Sequence, residues 1–146
     1  MNSYLSLLIL GASPLSELRG AIPFGLASGI SLQNTVILAI LANLAIIPAL
    51  FLLLRISKFR SLIFKIFGGR IEKKIEAHRA RFELYGELAL ILFVAVPLPL
   101  TGAYTGVLIS EFLGYNRIKS GIAIALGVMI AGILVTLASV SVISLF

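Results

Sequence analysis

The chain has 146 residues, 60% of them apolar and only 12% charged, with a mean hydropathy of +1.12. A soluble domain of this size has no interior large enough to hide that apolar surface, so a single membrane-embedded domain is expected. The net charge of +6 would suit nucleic acid, but nine of the twelve basic residues lie in one stretch between hydrophobic segments. That pattern is a membrane-topology signal, so no nucleic-acid partner is expected, and the absence of cysteine leaves the redox compartment unread.

The first 12 residues lack the basic n-region of a secretory signal, and Ser13-Pro14 makes a poor cleavage site, so this segment is expected to be retained. Tyr4 to Ala12 is cleanly apolar, a length of about 14 Å, or half a membrane. Ser13 and Pro14 then offer an N-cap and a first-turn proline. A short helix is expected through Glu17 to Gly20, stopping ahead of Pro23, with the chain turning back along Phe24 to Ile30. Leu32 to Leu54 follows, 23 positions without a charge and long enough to cross a hydrocarbon core of roughly 30 Å.

Residues 55–84 carry Arg55, Lys58, Arg60, Lys65, Arg70, Lys73, Lys74, Arg79 and Arg81, and the positive-inside rule makes this connector cytoplasmic. Phe59, Leu62, Ile63, Ile66 and Phe67 share one helical face, with Lys58, Arg60 and Lys65 around it. Such a helix suits an anionic lipid surface, and Gly68-Gly69 is expected to end it. From Arg70 a second helical pattern runs through Ile71, Ile75, His78, Phe82 and Tyr85, with Arg79 placed to pair with Glu83, and is expected to continue into the next membrane segment. His78 stands alone, so no metal site is expected.

Leu84 to Val96 is again too short to span untilted, Pro97-Leu-Pro99 breaks it, and Thr101 to Ser110 continues beyond. Ile122 to Phe146 is the second long uncharged run, at 25 positions. The two broken regions share a proline followed by glycines spaced by four: Pro23 with Gly25 and Gly29, and Pro99 with Gly102 and Gly106. This weak symmetry predicts an all-α membrane protein of two inverted repeats, about 1–54 and 85–146, each a re-entrant hairpin plus a spanning helix. The hairpins would enter from opposite faces, with both termini outside and Arg117 and Lys119 inside. The rival topology has four full spans. Gly25, Gly29, Gly102 and Gly106 also suit close helix packing without any ligand.

Breaks at membrane depth free backbone groups that need protein or water partners, so the two breaks mark a candidate site. A half-helix N-terminus near Thr101-Gly102 favours an anionic group, and Thr101, Tyr104 and Thr105 supply hydroxyls. Glu17 and Arg19 are the intramembrane charges. Two positions apart, they point to different sides of a regular helix but can face the same way in an unwound one. An acid at this depth can exchange a proton, and arginine offers a bidentate fork for phosphate or carboxylate; a purely structural ion pair is the alternative. No constellation for enzymatic catalysis is present, and no cofactor is expected.

Glu17-Leu-Arg19-Gly20-Ala-Ile-Pro23 together with Pro97-Leu-Pro99-Leu-Thr101-Gly102-Ala resembles the small multidrug export protein family of bacteria and archaea over nearly the whole chain. That family is in turn distantly similar to the DedA (VTT-domain) proteins of the cell membrane. The resemblance implies opposed re-entrant hairpins and translocation of polyprenyl phosphates or other lipids. It also places Glu17 and Pro23 at the acid and proline of the first hairpin. The second broken segment departs from the DedA pattern in having no arginine near its prolines. The expectation is therefore a multi-pass, proton-coupled transporter of an anionic amphiphile, assembled as a homo-oligomer among membrane lipids. An exporter of small cationic drugs and a non-transporting scaffold are the alternatives.

Overall fold

The computed structural model describes residues 2–145, which form eight α-helices and no strand. Asn2 caps α1 (Ser3–Ala12), its side chain accepting from the Tyr4 amide. Ser13 turns extended, and Pro14 cannot continue the helix, so α1 stops after about 15 Å. α2 (Glu17–Ala27) packs back on α1, and Ser31 caps α3 (Leu32–Leu53). α4 (Ser57–Ala77) and α5 (Arg79–Tyr85) form the connector. After one 3-10 turn at Gly86–Leu88 come α6 (Ala89–Ala95), α7 (Ala103–Leu113) and α8 (Arg117–Ile143), the last capped by Asn116. Only α3 and α8 are long and apolar enough to cross a membrane among the described residues.

α3 and α8 pack against each other; α1 and α2 lie on α3, and α6 lies on α8. Large apolar residues on the outer faces of these helices, such as Ile37, Leu41, Ile133 and Leu137, are more than half exposed, as a lipid-facing surface requires. The interior is made of small close contacts. A Cβ at Gly25 would crowd Thr35, one at Gly106 would lie 2.9 Å from Val94 Cγ2, and one at Gly127 would lie 2.7 Å from Val94 Cβ. Gly29 is different: it has φ +77° and open space around it, so it serves the turn before α3 and packs nothing.

Four local expectations are corrected. Ser13 ends α1 and does not cap α2, which starts three residues after Pro14, at Glu17. Pro23 does not stop α2; it sits inside the helix on an exposed face, where the missing amide leaves only the Arg19 carbonyl without its helical donor. Gly68-Gly69 does not end α4, because packing along α7 outweighs about 1 kcal/mol of helix preference per glycine. The second connector helix does not run into the membrane segment: His78 interrupts it, and Gly86 turns the chain at φ +56°.

Candidate ligand site where two helix ends meet

The two breaks come together. Val96-Pro97-Leu98-Pro99 cannot hold a helix, since each proline removes a donor and pushes its predecessor towards extended backbone; Val96 is at φ −77°, ψ 115°. Thr101 Oγ1 lies 2.7 Å from both the Val96 and Leu98 carbonyls and supplies a donor that the prolines lack. The only non-glycine residues in the left-handed region, among those described, are Glu17 at φ +48° and Leu100 at φ +64°. Each costs about 1–2 kcal/mol, and each sits at the start of a short helix at this junction.

Glu17 acquires its position from that strained backbone. The α7 N-cap is Gly102, which has no side chain to satisfy the first amides of the helix. The Glu17 carboxylate comes from α2 to this end: it lies so close to Gly102 that any Cβ there would overlap it, and the Tyr104 backbone N–H is the α7 amide whose dipole acts on it. Glu17 is only 6% exposed. Arg19 Nη2 is 4.0 Å from Glu17 Oε2, a pairing made possible because Glu17 precedes the regular part of α2.

The remaining contacts tie the junction to its surroundings. Tyr104 Oη donates to the Ala12 carbonyl at 2.5 Å, joining α7 to the end of α1. Lys74 Nζ, from α4, donates to the Leu100 carbonyl at 2.6 Å. Burial, and then the Arg19 guanidinium, push the Lys74 ammonium below the usual lysine pKa. One acid therefore stands among two cations. A cavity of about 20 Å³ remains between Glu17, Arg19, Asn43, Pro97, Thr101 and Gly102. That volume admits one water and nothing larger, so a ligand reaches this point only if the helix ends part.

Of the residues singled out from sequence, Glu17, Arg19, Pro97, Thr101 and Gly102 line this cavity, and Tyr104 adjoins it through α7. Thr105 faces a separate groove beside α4, while Pro23 and Pro99 are exposed. Lys58, Arg60 and Lys65 lie on the outer side of α4 beside Leu62 and Ile66, which are 53% and 58% exposed.

Three residues were not foreseen. Asn43 is buried at mid-α3 and donates to the Gly11 carbonyl at 3.0 Å; a lone amide inside an uncharged run was the available signal. Glu111, 6% exposed, is paired with Arg117 Nε at 2.5 Å across the α7–α8 turn, and its signal was an acid ending an apolar run. Lys74 was hidden among eight other basic residues of the connector.

Two spanning-length helices flanked by short helices that meet end to end, with a buried acid and a partly exposed base at the junction, define an all-helical membrane protein with an ionisable internal site. The chain belongs to the family described as "Putative small multi-drug export protein", whose profile matches residues 17–134. The matched stretch opens on Glu17 and takes in α2, the Pro97-Leu-Pro99 break and most of α8. No curated protein and no solved structure matches the chain.

Proposed function

We propose that this protein is a proton-coupled membrane transporter whose substrate is an anionic amphiphile, of the class of a polyprenyl phosphate or another anionic lipid. The observation that carries the reading is the Glu17 carboxylate lying against Gly102 at the N-terminus of α7. A helix N-terminus of this kind is an anion site, and here an internal anion holds it. Protonation of Glu17 removes the negative charge, weakens its hold on the α7 amides, and leaves that end together with Arg19 for a phosphate-like group. Deprotonation returns the carboxylate and expels the substrate. Arg19 and Lys74 outnumber the one acid, which disfavours a lipophilic cation.

In this reading residues 1–54 and 85–146 are inverted repeats, with α1–α2 and α6–α7 as opposed re-entrant hairpins beside the spanning helices α3 and α8. The connector 55–84 lies on the cytoplasmic side of the cell membrane, and a second copy helps enclose the path. The arrangement is DedA-like. Its support is the half-membrane length of the short helices and the meeting of their ends. The family description favours export, and leaves the sign of the cargo open.

The test is thermal stabilisation of the detergent-solubilised protein by a polyprenyl phosphate. Stabilisation is expected to be larger at mildly acidic than at alkaline pH, because ionised Glu17 competes for the same helix end. Arg19→Lys should weaken it, since a point charge replaces a bidentate fork. Stabilisation by a quaternary ammonium compound that grows with pH, without response to the anionic lipid, would establish the cation exporter.

A further inference from the structure

A second, predominantly apolar concavity lies apart from the small cavity at the ionisable junction. It is a groove of about 360 Å³ between α4, the end of α3, α7 and the Pro14-Leu15 turn. Leu50, Phe59, Phe67 and Leu108 line it, and Arg70 and Lys74 are its charged groups; no acid contributes to its wall. The volume lies within the usual range for small-molecule and lipid sites. An apolar trough with two cations and no anion is complementary to one chemistry, an apolar chain ending in a negative head group.

We propose that this groove binds an acyl chain of an anionic bilayer phospholipid, with the lipid phosphate held by Arg70 and Lys74. Charge complementarity selects the occupant. The position of α4 supports it: the same helix exposes Leu62 and Ile66 alongside Lys58, Arg60 and Lys65, so its outer side suits the boundary of an anionic leaflet. The groove adjoins the Glu17 junction and shares Lys74 with it, and the proposal holds whether or not the protein transports. Lys74 already donates to Leu100, the strained residue that sets up the start of α7, and an ammonium has three donors. A phosphate on Lys74 therefore fixes the lysine in place without displacing it, and a bound lipid braces the turn.

The chain has no tryptophan, so Phe67→Trp places a single fluorophore in the groove. The protein is reconstituted in nanodiscs of phosphatidylcholine with increasing fractions of acyl-brominated phosphatidylglycerol or acyl-brominated phosphatidylcholine, and bromine quenching is read. Brominated phosphatidylglycerol should reach half-maximal quenching at a mole fraction lower by on the order of fivefold for each engaged cation. Arg70→Gln with Lys74→Gln should abolish that preference. Leu137→Trp, on the 61% exposed face of α8, should show no head-group preference in either background. As a second measurement, mass spectrometry should find phosphatidylglycerol retained by the purified wild type and lost from the Arg70/Lys74 double variant. Equal quenching by the two brominated lipids, a preference that survives the double substitution, or protection of the groove by inorganic phosphate alone would each overturn the proposal.

Discussion

Replacing Gly102 by alanine tests the junction most severely, because the added methyl must share space with the Glu17 carboxylate. The new Cβ would overlap both carboxylate oxygens, so the acid has to leave the end of α7. Overpacking of this kind costs about 1–3 kcal/mol, and loss of a partly buried negative charge at a helix N-terminus adds up to about 2 kcal/mol. A loss of roughly 2–4 kcal/mol is expected, which at about 3 °C per kcal/mol lowers the melting midpoint by some 6–12 °C. Far-UV circular dichroism in a mild detergent reads it. In the Glu17→Ala background the side chain that blocks position 102 is gone, and the same substitution should cost under about 1 kcal/mol. The cycle thus predicts a coupling of at least about 1–2 kcal/mol. Additive costs would refute the placement of Glu17 against Gly102.

Three further outcomes follow from the same structure. Arg117→Ala leaves the buried Glu111 carboxylate without its partner and should cost about 1–3 kcal/mol after allowance for the partial exposure of the arginine, whereas Arg79→Ala, which breaks the solvent-exposed pair with Glu83, should leave the melt unchanged. Equal effects would show that burial does not separate the two pairs. Glu17→Gln and Arg19→Ala should abolish transport while the protein stays folded and near-normally abundant, with Glu17→Gln costing at most the roughly 2 kcal/mol of the lost charge at the α7 end; parallel loss of folded protein, restored in a neutral double variant, would make the pair structural. With no native cysteine to interfere, a membrane-impermeant thiol reagent on intact cells should label cysteines introduced at Asn2 and Leu145 and spare Lys65→Cys and Lys119→Cys. Labelling at position 119 from outside would replace the opposed hairpins by four full spans.

Much of the architecture was legible in the order of residues. The uncharged runs marked α3 and α8 to within a few residues, and Pro97-Leu-Pro99 marked a true break. Pro23 misled because a proline tells what backbone donor is missing and not whether packing on the other faces holds the helix together; α2 continues through it to Ala27. Gly68-Gly69 misled for the same reason, since contacts with α7 lie outside any local window. At the site, Glu17 and Arg19 stood out as charges in an apolar setting. Their pairing, and the placement of Glu17 against the start of a helix about 85 residues away, depended on a left-handed backbone angle at a glutamate, which residue preference argues against. Asn43 and Lys74 became part of the picture only through contacts to Gly11 and Leu100, which no spacing rule connects.

The central claim is that protonated Glu17 yields the α7 end to an anionic amphiphile, and flux in proteoliposomes measures it directly. A fluorescent polyprenyl phosphate analogue should cross only in vesicles containing the wild type, faster when the loading side is the acidic one than without a proton gradient. Glu17→Gln, which cannot return a carboxylate to the α7 end, and Arg19→Ala should each lose the flux. Gradient-independent movement of a quaternary ammonium dye, with no movement of the phosphate analogue in any vesicle, would contradict the account.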